Sequence, residues 1–357
     1  MPLEKRHRIE CMPPSRKEPA PEVPDVEFVL VVETGVLEHQ ARLLCESIRA
    51  HGGCYRDAPI VAVSPQAGRR PSRDFADFSE RHAVDYLELS LRNDCPEYGT
   101  TNRIYAAADR ADRSAADVLI VIDSDTLFLR EPDFCLDGVD VAVRPVDVKG
   151  MCTAGEGDPF DPYWRSLCAL GGIDDEQLPF VTPTVDDPRV RASYNGGLVV
   201  VRRSTGILQK AADLFSRSVR AGLRPSIPGD SRVFASTGFV GEIASAFWGS
   251  SQATLSVAIW STTDRVRILE PAYNVPLHVW DQWLARHPKL PIGDIVHVHY
   301  HWLCSPGLEQ ANPLLDGRLP LAPQIGRWIR SRVPFPVDMS SPANLPPIAR
   351  LATGTED

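Results

Sequence analysis

The 357-residue chain is 43% hydrophobic and carries a formal net charge of −9, so it has the apolar content to bury one large or two ordinary domains. Its acidic balance excludes a general electrostatic footprint for nucleic acid, and no Lys/Arg block inside the globular part supplies a local one. No apolar run is long enough to span a bilayer, and the charged, proline-rich start has no signal-peptide core, so the expectation is a cytoplasmic protein without a membrane span.

Residues 1–24 read as a disordered N-terminal extension, 25–306 as one folded domain, and 307–357 as a proline-rich C-terminal extension poor in regular elements. Inside the domain, VEFVLVVETG from Val26 reads as a buried strand, and LEHQARLLCESIRAHGG as a helix stopped at Gly52-Gly53. APIVAVSP predicts a second strand, SRDFADFSERHA a short helix, VDYLELSL a third strand, NRIYAAADRADRSA a helix and DVLIVIDSD a fourth strand. This alternation, with continuous Val/Ile/Leu strands, predicts an α/β fold: a mostly parallel central sheet with helices on both faces. GVDVAVRP predicts a further strand, and Lys149 to Asp187 is a long irregular segment of the kind that serves as a binding or lid region. SYNGGLVVVRRS then reads as a strand, and TGILQKAADLFSRSVRAGLRP as a helix with Ile207, Ala211, Leu214, Phe215 and Val219 on one stripe. The eight cysteines are scattered with no C-x-x-C pair and read as reduced thiols.

The chemistry concentrates where the fourth strand ends in Asp123-Ser124-Asp125. In an open α/β sheet ligands bind beyond the carboxyl ends of the strands, and carboxylates there suit a hard cation that offsets phosphate charge. The same letters also suit a strand-end turn in which Asp123 caps the following backbone. A phosphotransferase of the haloacid dehalogenase type carries a similar string, but its threonine comes one residue later than Thr126 and its motif follows the first strand of its domain. His297, His299 and His301 alternate, so on an extended strand all three share one face, which keeps three-histidine zinc chemistry as a competing reading. Asn195-Gly196-Gly197 is either a turn or a place where backbone approaches a ligand closely. Glu33 and Thr34 end the first strand, where a nucleotide base can dock.

Taken together, the D-x-D after its strand, SYNGGLVVVRRS, PGDSRVF and DIVHVHYH, in that order, resemble the GT-A fold nucleotide-sugar glycosyltransferases, in particular the glycogenin-like group (family 8). The resemblance runs from about Val26 to Trp302. It implies a metal-dependent transfer of sugar from a nucleotide-diphosphate donor, a UDP-sugar, to a hydroxyl acceptor, with retention of configuration. It implies Mn²⁺ or Mg²⁺ held by Asp123, Asp125 and His297, and a donor site formed by Glu33, Thr34, Arg103, Asp123, Ser124, Gly196 and Gly197. It places Asn195 and Asp230 at the reacting sugar; the irregular segment 149–187 is the expected acceptor region. Two departures stand out: Ser231 replaces the family's glutamine, and the lysine that usually follows the metal histidine is absent, which makes Arg103 the candidate cation. The alternatives are a sugar-nucleotide nucleotidyltransferase, although ETGVLEHQ lacks that group's Gly-rich basic loop, and a non-catalytic GT-A scaffold that binds nucleotide or a partner.

Overall fold

The computed structural model describes residues 25–225, 233–236, 238–304 and 312–333. The first half follows the predicted alternation. Strands β1 (Val26–Val31), β2 (Ile60–Ser64), β3 (Val84–Glu88) and β4 (Val118–Ile122) are interleaved with helices α1 (Val36–His51), α2 (Arg73–Arg81) and α3 (Asn102–Arg113). Strand β1 is almost wholly buried because both of its faces are covered, which is why its sequence is an unbroken apolar run rather than an alternating one. A short β5 (Thr126–Phe128) follows the turn after β4, and β6 (Val141–Pro145) returns to the sheet.

The segment 149–187 is less irregular than its Gly/Pro/Asp content predicts, since it contains α4 (Asp161–Gly171). Pro162 stands in the first turn of that helix, where its missing N–H leaves no bond unmade, and Gly172 closes it in the left-handed conformation at φ 78. Strands β7 (Phe180–Val181) and β8 (Val190–Arg191) form a small antiparallel pair ahead of β9 (Tyr194–Arg202) and α5 (Ile207–Arg220). Beyond them lie a second small pair, β10 (Phe234–Ala235) and β11 (Gly238–Phe239), then α6 (Glu242–Ala246), α7 (Ser250–Trp260), β12 (Val266–Ile268), β13 (Val275–Pro276), α8 (Trp280–Arg286) and β14 (His297–His299).

The central sheet runs β12-β6-β9-β4-β1-β2-β3. Pairs β1/β2, β1/β4, β2/β3 and β6/β12 are parallel, and β9 lies antiparallel between β4 and β6. One face packs Phe28, Leu30 and Ile120 against Leu44, Ile48, Phe75 and Phe78 of α1 and α2. The other packs Val29, Leu119 and Val121 against Ile104, Ala107, Leu208, Ala211 and Leu255 of α3, α5 and α7. The α/β expectation, with helices on both faces of a mainly parallel sheet, is met.

A second sheet, β13-β14-β5, stands at the carboxyl edge of the first. The C-terminal stretch departs from the expectation of few regular elements. It carries α9 (Pro313–Asp316) and α10 (Pro323–Arg330), each opened by its own proline, and Leu314, Leu319, Ile329 and Val333 are buried with Trp283, Val298 and Tyr300. The expected extension at 1–24 lies outside the described residues.

Candidate active site

The site begins at the turn that ends β4. The Thr126 hydroxyl donates to the Asp123 carbonyl at 2.7 Å, the Asp123 N–H donates to the Gly197 carbonyl at 3.2 Å, and the Tyr300 N–H donates to the Asp125 carbonyl at 3.0 Å. Two distant segments, at Gly197 and Tyr300, are thus tied to one tripeptide. The antiparallel register of β14 on β5 sets His299 opposite Thr126, and so beside Asp125, and sets His297 opposite Phe128.

That register decides which histidine meets the carboxylates. Asp125, His299 and His301 bring one ligand atom each to within 4.8 Å of one another. The His299 Nε2 lies 3.2 Å from Asp125 Oδ1, and the His301 ring stacks on His299 at 4.1 Å. His297, the histidine expected to ligate metal, is not brought to this trio: its ring is completely buried, rests on Phe128 at 4.7 Å, and does not line the cleft. Burial, with the charge of His299 adding to it, lowers its pKa to about 3. Nor does Asp123 join the trio, because its carboxylate is engaged by the Arg103 guanidinium.

Electrostatics follow from this pairing. Burial alone would lower the His299 pKa, but the charge and hydrogen bond of Asp125, aided by Asp123 and Asp147, raise it to about 9. Burial disfavours the Asp125 carboxylate, yet His299 holds it well below the usual carboxylate range. His301 is pushed well down by burial and by His299, and burial lowers His278, whose ring lies 3.9 Å from His301, to about 4.

These groups open onto a cleft of about 780 Å³ lined by Glu33, Arg103, Asp123, Ser124, Asp125 and Asn195 from the expected set, together with Asp147, His278, His299 and His301. Glu33 is buried, accepts from Asn102 Nδ2 at 2.8 Å and pairs with Arg69 at 2.9 Å; burial raises its pKa against those two partners. Thr34 is exposed, does not line the cleft, and uses its backbone N–H to reach the Arg69 carbonyl at 3.0 Å. The Ser124 hydroxyl donates to Gln40 at 3.2 Å.

Gly196 and Gly197 serve through what they lack. A Cβ on Gly196 would sit 1.9 Å from the Arg103 guanidinium, and one on Gly197 would sit 2.7 Å from both Asn274 Oδ1 and His299 Nδ1. Asn195 ties β9 to the segment that follows β6, donating to Asp147 Oδ2 at 2.9 Å while its Oδ1 accepts from the Gly197 N–H at 2.8 Å. Asp230 and Ser231 lie outside the described residues.

Asp147 is a cleft residue that sequence reasoning missed. It stands two positions beyond β6, so the rule that ligands sit past the carboxyl ends of strands would have flagged it.

A sequence model of the Rhodobacterales glycosyltransferase domain matches residues 28–222, more than half of the chain. The chain belongs to this glycosyltransferase family. The matched span carries most of β1, strands β2 to β4, the D-x-D turn, Arg103, Asp147 and Asn195 of the glycosyltransferase, and ends before the segments that carry His278, His299 and His301. The apo structure of the bifunctional glycosyltransferase WbbM is also similar, at 13% identity and a TM-score of 0.45 over 88% of this chain. The alignment covers 53% of WbbM, so the present chain spans about half its length. No curated protein matches.

Proposed function

We propose that the cleft binds a nucleoside-diphosphate sugar, UDP-linked, and transfers the sugar to a hydroxyl acceptor with retention of configuration, using a divalent cation held by Asp125, His299 and His301. The observation that carries this reading is the convergence of those three side chains beyond β4, in a cleft of about 780 Å³, in a chain of a glycosyltransferase family. The residues fit the ion. His301 Nδ1 lies 3.2 Å from the His299 carbonyl, and donation there leaves Nε2 as the free ligand atom. One carboxylate and two imidazoles favour Mn²⁺ over Mg²⁺, which prefers oxygen ligands throughout. When bound, the cation would offset diphosphate charge and stabilise the departing nucleotide.

The chain's own residues supply the rest. Arg103, pressed under Gly196 and paired with Asp123, takes the place of the missing lysine as the positive group next to the diphosphate. Glu33, fixed by Asn102 and Arg69 at the end of β1, frames the nucleoside. Asn195 and Asp147 face the sugar, and residues 149–187, of which Lys149 and Met151 line the same cleft, face the acceptor. Retention rests on the sequence resemblance, with Asn195 and Asp230 at the sugar.

Release of free UDP from a panel of UDP-sugars, with and without Mn²⁺, tests the reading. Metal-dependent release is expected, and Asp125→Asn is expected to reduce it by at least 100-fold, since it removes the only carboxylate of the trio. Formation of UDP-sugar from UTP and a sugar 1-phosphate would instead establish a nucleotidyltransferase. Metal-dependent UDP binding with no turnover of any donor would establish a binding scaffold.

A further inference from the structure

The tryptophans near the cleft divide by use. Trp164, Trp280 and Trp283 are at most 2% exposed and serve the core. Trp248 and Trp302 are half-buried and line the cleft. Trp302 follows His301, with its ring 6.3 Å from that imidazole, and so belongs with the cation trio. Trp248 stands elsewhere, in the turn between α6 and α7. Aromatic surface left facing water inside a cleft is free energy that a ligand covering it can gain.

That turn is fixed from two sides. The Tyr98 hydroxyl accepts the Gly249 N–H at 3.0 Å and meets the Ser251 hydroxyl at 3.2 Å, and the Tyr98 ring lies 6.1 Å from that of Trp248. Gly249 is left-handed at φ 79, and a Cβ there would stand 2.7 Å from Met151 Cε, so the glycine admits Met151 against the turn. The Met151 carbonyl accepts in turn from Trp164 Nε1 on α4 at 3.0 Å. Trp248, Met151 and Gln252, the last half-buried in the first turn of α7, thus line one wall of the cleft. Lys149, on the same wall, is held by Asp158 at 2.9 Å and by the Cys152 carbonyl at 3.1 Å. The wall therefore offers an occupant an indole, a thioether and a neutral amide that both donates and accepts, with its lysine already paired. A pyranose matches that set, because its C–H face is apolar and its hydroxyls donate and accept, whereas a phosphate-bearing acceptor would call for an unpaired cation.

We propose that this wall is the acceptor subsite and that the acceptor is itself a sugar residue, its C–H face on the Trp248 indole and its hydroxyls on Gln252, so that the enzyme extends a saccharide. The proposal rests on the transferase reading given above. In the net transfer the acceptor hydroxyl oxygen bonds to the anomeric carbon. The bond from that carbon to the diphosphate oxygen breaks, its electron pair stays on UDP, and the hydroxyl proton passes to the released nucleotide. The measurement is UDP release from a UDP-sugar with Mn²⁺, using methyl hexopyranosides and disaccharides as acceptors, with glycerol and a serine-containing peptide for comparison. The expected result is saturable acceleration by sugars and less by the comparison acceptors. In Trp248→Ala the ratio of acceptor KM to donor KM is expected to rise about 10-fold or more, and in Trp248→Tyr, which keeps a ring, to stay within a few-fold of the parent. An unchanged ratio in Trp248→Ala, or acceleration by glycerol or peptide with none by sugars, would overturn the proposal while leaving the transferase reading intact. Release to water alone, with no acceptor accelerating it, overturns the proposal as well. No turnover of any donor would overturn the transferase reading and this proposal with it. Should Trp248→Ala fail to fold, Gln252→Ala takes its place: a raised ratio supports the proposal, and a parental ratio overturns it.

Discussion

At Asp147 the fold asks a carboxylate to sit where its charge is poorly solvated. Its Oδ2 accepts from Asn195, but its Oδ1 is shut from solvent and unpartnered, and burial raises its pKa to about 6 against the pull of His299, Arg144 and Asn195. The folded state therefore holds a proton there that the unfolded chain, titrating near 3.8, has already released. Between those two values the folded chain binds more protons, so the contribution of Asp147 to stability falls as pH rises from 4 to 6 and is absent from the loss below that window. Asp147→Asn keeps the shape and an acceptor for Asn195 without the charge. Its stability relative to the parent is expected to improve by up to about 3 kcal/mol between pH 4 and pH 7, the equivalent of a shift of about two pKa units. Urea unfolding of both proteins at the two pH values measures this; a pH-independent difference would show that Asp147 carries no such strain. The residue scale also shows what one sequence reveals about a site. Asp125 was legible because a strand-end carboxylate has a local signature, and Arg103 through the resemblance of its helix, ahead of that strand, to a family segment with a basic residue. The choice of His299 over His297 was not, since both share a face on an extended strand and only the register against Thr126 and Phe128 separates them.

Elements with a strong periodic signal were read correctly from composition: β1 to β4, α1 to α3, β9 and α5 all stand where apolar runs and stripes put them. Helix α7 was invisible for a physical reason. It is buried on nearly every side, so it has no polar face to give a helical period, and Thr254 and Ser256 satisfy their hydroxyls on its own earlier carbonyls. Strands β5 and β13 are three and two residues long, too short to show any pattern, yet with β14, whose alternating histidines were legible, they build the sheet that delivers the histidines. The packing of α7 gives a prediction at this scale. A Cβ on Gly171, in the last turn of α4, would stand 2.5 Å from Val257 Cγ1 on α7. Alanine at a helical glycine gains about 1 kcal/mol of propensity. Overpacking a filled interior costs about 1–3 kcal/mol, and fully buried, β-branched Val257 has little rotamer freedom with which to yield. The clash therefore outweighs the gain, and Gly171→Ala is expected to destabilise the fold by about 1–2 kcal/mol in chemical denaturation. A variant more stable than the parent would mean that α4 and α7 slide apart freely.

For the molecule as a whole, the question is whether the C-terminal helices belong to the same cooperative unit as the sheet. Their contacts reach both layers of the site. Asn312 Nδ2 donates to the Tyr300 carbonyl at 2.9 Å, between His299 and His301 in the chain; Arg332 pairs with Glu46 on α1; and Trp328 lies edge-on to His51 at the end of α1, at 5.0 Å. Ile329 is fully buried in a cluster that also holds Leu127 of β5 and Val298 of β14. Removing a buried isoleucine down to alanine costs about 2–5 kcal/mol where the surroundings cannot collapse. If α10 is integral, Ile329→Ala lowers the midpoint of urea unfolding by that amount. Tryptophan fluorescence and far-ultraviolet dichroism would then still report one coincident transition with an unchanged denaturant slope. If α10 instead frays on its own, the main transition stays in place and a small early change precedes it. The burial of Ile329 against Leu127 and Val298 favours the first outcome, because loss of α10 would uncover the strands that set His299 beside Asp125.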